Sequence, residues 1–162
     1  GDKVAEEARA FAEAPDFAGL SSLSVTRNAI REALRLYPPV PMFVREAAKE
    51  DVFRKRRVSK GAQIVISPWH MGRHEAHWTD PDTFDPSRWE TDEARKAARE
   101  AYLPFSSGPR VCPGAGFAMS EAAVLLAALM ARYRFDVIET PVPVAHLTVR
   151  AKDGIRLRAE PR

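Results

Sequence analysis

The segment that most limits how this chain can fold is an apolar stretch near its C-terminal end. From Gly114 to Tyr133, about 20 residues run without a proline and carry apolar side chains on nearly every side of a helix. A helix of that length is roughly 30 Å long. Because a helix that is apolar all round is unstable on a water-exposed surface, we expect this one to be buried in the interior.

The composition is typical of one folded domain. The chain has 162 residues, of which 45% are hydrophobic, and its net charge is +3. This apolar content is too high, and the net charge too small, for a disordered chain. The longest uninterrupted apolar run, near residues 122–131, is shorter than a bilayer-spanning helix, and the start carries no charged-then-apolar leader. We therefore expect a cytoplasmic protein without a membrane segment. Interspersed charges of both signs argue against nucleic acid as a partner.

The pattern predicts a mainly α fold with a small β-sheet. Five regions follow one another: two helices in 1–37, a small sheet in 38–67, an irregular region with the cysteine loop in 68–113, the long helix in 114–133 and short strands in 134–162. Pro15 is expected to end the first helix, and Ser21, Ser22 or Ser24 to cap the second. Shorter elements are predicted at 42–44, 52–53 and 63–66 (strands), at 91–101 (an exposed helix) and at 134–138, 147–150 and 155–157 (strands).

The single cysteine, Cys112, excludes an intrachain disulfide and lies directly before the long helix. The amides and positive dipole end of that helix favour the thiolate form. Arg110 offers a forked donor set for a carboxylate, while Gly108 and Gly114 let the backbone pass close to a flat partner. A thiolate with cationic donors and small neighbours suits ligation of a metal macrocycle that carries acidic groups.

Five residues around this cysteine form the pattern F-x-x-G-x-R-x-C-x-G: Phe105, Gly108, Arg110, Cys112 and Gly114. The pattern resembles the heme-binding signature of the cytochrome P450 family of heme-thiolate monooxygenases. The resemblance implies that Cys112 is the catalytic ligand of the iron in heme b, and that the other four residues help to bind the heme. A thiolate ligand donates electron density to iron and favours O–O cleavage.

The family's activity is also implied by the resemblance. A member inserts one oxygen atom from O2 into an organic substrate, here expected to be apolar. The electrons come from NAD(P)H by way of a redox partner, which is a ferredoxin or a flavoprotein reductase.

Two further motifs occur in the order that the family shows. Glu32 and Arg35 have its E-x-x-R form, and positions three apart share one face of a helix. Residues 78–89 resemble its W-x-x-P-x-x-F-x-P-x-R-W segment, which contains Arg88. The resemblance implies that Glu32, Arg35 and Arg88 form a structural triad that fixes the loop beneath the heme.

Other roles are implied more loosely. Arg45, like Arg110, is a candidate for binding a heme propionate, although a solvated strand arginine is the alternative. The possible substrate contacts are Val40, Met42, Phe43, Leu147 and Thr148, which could equally be plain core residues. The basic residues Arg95, Lys96 and Arg99 either form a docking face for an acidic redox partner or belong to an ordinary exposed helix.

Several readings remain open at this point. The resemblance covers nearly the whole chain but only the C-terminal part of a typical member, and nothing here matches the helix over the distal heme face with its acid-alcohol pair. We therefore expect a truncated fold. The chain is a monooxygenase fragment that works with its missing N-terminal part, a heme-binding or self-associating module without oxygenase activity, or a heme-free remnant.

Three simpler alternatives concern single features. Cys112 could be a buried structural thiol. His70, His74 and His77 could gather a zinc ion if they lay on one helix. The basic run 54–57 could be a nucleic-acid or membrane patch, although a solvated loop is expected.

Overall fold

The computed structural model describes residues 1–13 and 16–162, so Pro15, the predicted end of the first helix, lies outside the described residues. The helices are α1 (Asp2–Glu13), α2 (Ser24–Leu36), α3 (Pro68–Met71), α4 (Asp92–Ala101) and α5 (Ala115–Arg132), with 3-10 turns at Ala18–Ser22, Pro86–Glu90 and Gly108–Arg110. The strands are β1 (Phe43–Glu46), β2 (Asp51–Phe53), β3 (Arg56–Val58), β4 (Gln63–Ile66), β5 (Tyr133–Val137), β6 (Pro143–Ala145), β7 (Val149–Ala151) and β8 (Leu157–Pro161). The predicted mixture of helices with a minor β component is confirmed.

The strands form antiparallel pairs rather than one sheet. β1 pairs with β4, β2 with β3, β5 with β8 and β6 with β7. The basic run 54–57 is not simply a loop, since Arg54 and Lys55 turn the β2–β3 hairpin with φ angles of 48° and 65° and the next two arginines lie in β3. A run of four like charges does not show a strand pattern, because the two arginines that lie in β3 are both exposed to solvent.

The N-terminus of α2 is capped from another helix. No serine side chain caps α2, so the prediction of Ser21, Ser22 or Ser24 as its cap is wrong. Instead the Glu7 carboxylate accepts hydrogen bonds from the backbone amides of Val25 and Thr26, at 2.8 Å each. It also accepts from the Thr26 hydroxyl at 2.6 Å and the Ser24 hydroxyl at 3.2 Å. The orphan amides of a helix terminus need an acceptor, and a carboxylate also complements the positive end of the dipole.

One core lies where α1, α2 and α5 meet. Its buried members are small or aliphatic: Ala8, Leu23, Ala123 and Ala127. Alanines on facing helices allow close approach, and Phe11, Leu20, Ile30 and Ala131 pack around them. This core fixes α5, the helix that follows the cysteine loop, against the N-terminal pair of helices.

The expectation that α5 is buried on all sides is wrong for this chain. Only Ala123 and Ala127 are buried along it, whereas Phe117, Leu125 and Leu129 are 73%, 57% and 48% exposed. The described part of the chain covers one stripe of the helix with α1 and α2. The other faces remain apolar and open to solvent.

One helix bears on the expectation that the chain has no membrane segment. Over 18 residues, α5 is long and apolar enough to cross a membrane by length and composition alone, although the core helix of a soluble protein can meet the same two criteria. The contiguous apolar run 122–131 is bounded by Glu121 and Arg132, the only charges of the helix, and the earlier turns of α5 add Gly116 and Ser120 without making it polar.

A second core lies beneath the irregular region. Trp78 and Trp89 pack with an alanine face of α4 made of Ala94, Ala97 and Ala101. α4 is therefore not simply the exposed helix that its charges predicted, because one stripe of alanines is buried. Its N-terminus is capped by the Thr91 hydroxyl, which accepts from the Ala94 amide at 3.2 Å.

The Glu7 cap generates the first prediction. Replacing Glu7 by alanine removes the acceptor for the first amides of α2, and we expect a loss of about 1–2 kcal/mol in the free energy of unfolding. Glu6→Ala, on the exposed side of the same helix, is the matched control and should change stability little. Denaturant unfolding of both variants measures the difference, and equal losses would contradict a capping role.

Candidate functional site

Cys112 lies exposed on a tight loop that leads into α5. Its backbone amide donates to the carbonyl of Phe105 at 2.9 Å, and its carbonyl accepts from the Ala115 amide at 3.3 Å. These bonds close the loop on itself and present the thiol outward. The alternative that Cys112 is a buried structural thiol is therefore wrong.

The two glycines of the loop serve different purposes. Gly108 has a φ of +67°, a left-handed conformation that glycine adopts without a side-chain clash. A β-carbon there would meet no protein atom within 4 Å, so the backbone conformation is the constraint that the chain itself places on this glycine. At Gly114 a β-carbon would lie 3.8 Å from the Cys112 sulfur, an ordinary van der Waals contact, so glycine leaves the space beside the thiol open.

The thiol faces a concavity of about 470 Å³ between β1 and the cysteine loop. The lining combines the sulfur, two arginines and apolar side chains: Pro39, Val40, Phe43, Arg45, Leu103, Pro104, Phe105, Ser106, Arg110 and Cys112. The site thus offers one soft ligand, two cationic groups and an apolar wall in one place.

Arg45 is held in this concavity by two hydrogen bonds and an aromatic ring. Its Nη2 donates to the Ser106 hydroxyl at 3.2 Å and its Nη1 to the Val44 carbonyl at 3.1 Å. Its guanidinium lies 4.6 Å from the centre of the Phe43 ring. Sequence reasoning missed Ser106, whose side chain reaches a residue 61 positions earlier in the chain.

The predicted substrate contacts are only partly brought together. Val40 and Phe43 line the concavity, whereas Met42, Leu147 and Thr148 do not. Leu147 is 88% exposed at the β6–β7 hairpin. The hairpin nevertheless lies beside the segment after α2, because the Val149 amide donates to the Pro39 carbonyl at 2.8 Å.

The three predicted triad residues meet around one buried carboxylate. Glu32 accepts from Arg35 Nε at 2.9 Å and Nη2 at 2.8 Å, and from Arg88 Nε at 2.9 Å. Two partners were not predicted from sequence: the Trp89 indole nitrogen donates at 3.0 Å and the Asp85 amide at 3.0 Å. The W-x-x-P-x-x-F-x-P-x-R-W segment contains both residues, but its pattern does not reveal which atoms point inward.

Arg35 and Arg88 also connect this cluster to backbone carbonyls of the irregular region. Arg35 donates to the carbonyls of Gly72 and Pro81 and, at 3.0 Å, of Thr83. Arg88 donates to the carbonyls of Thr79, Asp80 and Thr83. A β-carbon at Gly72 would lie 2.3 Å from the Arg35 carbonyl oxygen, so only glycine fits there.

The surroundings of Glu32 stabilise its ionised form. Burial by itself would raise the pKa of this carboxyl, but hydrogen bonds from Arg35, the Asp85 amide and Arg88, with the charge of Arg35, lower it below its usual value. The carboxylate is thus kept charged in the interior by its donors.

The remaining candidates lie apart from the concavity. His70 Nδ1 lies 2.8 Å from the Ser67 hydroxyl, and His77 Nδ1 lies 3.3 Å from a Glu100 carboxylate oxygen. Across residues 1–13 and 16–162, no three His, Cys, Asp or Glu side chains gather in a group that could hold a metal ion. On α4, Arg95 is paired with Asp92 at 2.6 Å, which reduces the basic character of the proposed docking face.

The donor set at the concavity fits heme. An exposed thiol supplies a soft iron ligand, apolar side chains suit a porphyrin face, and Arg45 and Arg110 suit its two propionates. Cys112, Phe105, Arg45 and Arg110 would be the residues that hold it.

Comparison with known proteins identifies the family. The model of the family described as Cytochrome P450 matches residues 2–156. Mouse cytochrome P450 4A10 is 40% identical over 141 residues, which is 85% of this chain and 27% of that protein. Cyclooctatin synthase of Streptomyces melanosporofaciens is 35% identical over 148 residues, or 91% of this chain and 31% of that protein.

The fold agrees as well. The crystal structure of the cytochrome P450DA heme domain matches with a TM-score of 0.89 and 28% identity, covering 99% of this chain and 36% of that one. The chain belongs to the cytochrome P450 family. It spans roughly a third of the length of the relatives that it matches.

The buried carboxylate generates the second prediction. Glu32→Gln leaves Arg35 and Arg88 charged and uncompensated, and we expect a loss of about 3–5 kcal/mol in the free energy of unfolding. Asp82→Asn, which removes an exposed partner 3.4 Å from Arg73, is the control and should cost under about 1 kcal/mol. Similar losses in denaturant unfolding would show that the Glu32 cluster does not organise the fold.

A third prediction follows from the lowered pKa of Glu32. Because the folded state holds the carboxyl ionised, its contribution to stability is present above the unfolded value of about 4.5 and is lost as pH falls through the lower folded value. The stability difference between the unmodified protein and Glu32→Gln should therefore narrow only in acid. A difference that narrows at neutral pH would contradict the assignment.

Proposed function

We propose that this chain is the heme-ligating part of a monooxygenase that inserts one oxygen atom from O2 into an organic substrate. The observation that carries the proposal is the exposed Cys112 thiol in a concavity that also holds Arg45 and Arg110. Bound heme would supply the activation of dioxygen, favoured by a thiolate ligand.

The residues around the concavity have distinct tasks in this proposal. Cys112 provides the ligand sulfur, and the loop bond from its amide to Phe105 keeps that sulfur pointing outward. Arg45 and Arg110 bind the two carboxylates of the heme edge. Val40 and Phe43 exclude water on the apolar side. Gly108 gives the loop the turn that this arrangement requires.

The proposal also covers the substrate, the source of electrons and the location of the protein. The family uses electrons derived from NAD(P)H that reach it through a redox partner, a ferredoxin or a flavoprotein reductase, and we propose the same here. The apolar lining supports an apolar small-molecule substrate. A cytoplasmic location stays a prediction.

A second candidate function is favoured by the open faces of α5. On this helix the large apolar side chains of Phe117, Leu125 and Leu129 are exposed. An apolar surface of this kind is unfavourable in water unless another protein surface covers it. Either further protein from a longer family member or a second copy of this chain covers them. In the latter case the chain is a self-associating heme-binding module without oxygenase activity, and without heme it is a remnant of the fold.

The fourth prediction concerns the ligand. With heme added, the reduced, carbon monoxide-bound protein should show a Soret band shifted far to the red, as thiolate ligation requires. Cys112→Ala should abolish the shifted band. Cys112→His should bind heme with an unshifted band, which separates loss of the ligand from loss of the fold.

The outcomes distinguish the readings. A shifted band that survives Cys112→Ala would overturn the ligand assignment. No heme spectrum for the unmodified protein would leave only the heme-free remnant. A shifted band without product formation, when reductant and O2 are supplied, would favour the binding module.

A further inference from the structure

Ser106 has a backbone conformation that its side chain disfavours. Its φ is +63°, in the left-handed region, where a non-glycine residue is strained. Two positions later the same loop uses glycine for a similar angle of +67° at Gly108. Glycine relieves the strain of a left-handed conformation at Gly108, but serine is present in the same conformation at Ser106. A strained non-glycine residue in a functional loop indicates a role for its side chain.

Within residues 1–13 and 16–162 the Ser106 hydroxyl has one hydrogen-bond partner, Arg45. The Ser106 hydroxyl accepts from Nη2 of Arg45 at 3.2 Å, which ties the cysteine loop to β1. The Ser106 amide donates to the Leu103 carbonyl at 3.2 Å, so the serine is itself anchored. Among the described residues Arg45 makes no salt bridge, and the Ser106 bond and the Phe43 ring are its contacts within the concavity.

The bond leaves most of the guanidinium available. A guanidinium has five N–H groups, of which Arg45 uses one toward Ser106 and one toward the Val44 carbonyl. The others remain for an acceptor in the concavity. A long side chain fixed in this way loses less freedom when it binds a carboxylate.

We propose that Ser106 is a positioning residue for Arg45, holding its guanidinium ready for a propionate of heme. The inference rests on the proposed function, because it names how that site takes its cofactor. The left-handed backbone of Ser106 is the conformation that brings the hydroxyl to Arg45.

The test compares two substitutions that change strain differently. Ser106→Ala keeps a β-carbon in the left-handed conformation and loses the hydroxyl, whereas Ser106→Gly loses the hydroxyl and relieves the strain. In the protein that contains this chain, we expect Ser106→Gly to unfold at a higher temperature than Ser106→Ala. Both should nevertheless release heme to a heme scavenger about tenfold faster than the unmodified protein.

Heme dimethyl ester is the second probe, because esterification removes both carboxylates. Release of the ester should be unchanged by either Ser106 substitution. In an Arg45→Gln background, adding Ser106→Ala should have no further effect on heme release. Ser107→Ala, on the exposed neighbour, is the matched control and should release heme at the rate of the unmodified protein.

The results separate this inference from the function on which it rests. If the unmodified protein binds heme with the thiolate spectrum but heme release follows stability, so that Ser106→Gly retains heme better than Ser106→Ala, Ser106 is only a structural residue. If the Ser106 substitutions accelerated release of heme and of heme dimethyl ester equally, the inference would also be overturned. Absence of heme binding by the unmodified protein would overturn the proposed function itself.

Discussion

The buried carboxylate of Glu32 is the contact on which the rest of the structure depends. It accepts five hydrogen bonds, three from arginines, one from an indole and one from a backbone amide. A charge this deep is stable only when all of its partners are present. Because Asp85, Arg88 and Trp89 lie more than 50 positions along the chain from Glu32, meeting that requirement folds a region with little regular structure onto α2.

The two segments that form the concavity are both connected along the chain to the Glu32 cluster. On one side α2 leads through the segment after Leu36 to β1 and Arg45. On the other side Trp89 packs on Tyr102 at the end of α4, with ring centres 4.8 Å apart, and the chain then enters the cysteine loop. The two segments come into contact where Arg45 of β1 donates to Ser106 of the cysteine loop. The position of the thiol relative to the arginine therefore depends on a carboxylate outside the site.

How far the sequence predicts this molecule differs from element to element. The long helix, α2 and the strands β1 and β4 follow from periodicity, and the motifs bring Glu32, Arg35 and Arg88 together as expected. The cap by Glu7 and the contact of Ser106 with Arg45 could not be predicted, because each joins residues that are distant in sequence through a single side chain. The exposure of α5 was missed because a periodic pattern reports how apolar a helix is, whereas burial depends on what else packs there.

The arginines show why the cluster and the concavity do different work. Arg35 uses all five of its N–H groups, two on Glu32 and three on carbonyls, so it has none left for a ligand. Arg45 uses two, on Ser106 and Val44. A fully satisfied guanidinium fixes a fold, while a partly satisfied one that is held in place can bind an anion. The hydrogen bonds therefore separate the structural arginine from the one proposed to bind, although both are held by neighbouring side chains and both were singled out by resemblance to the same family.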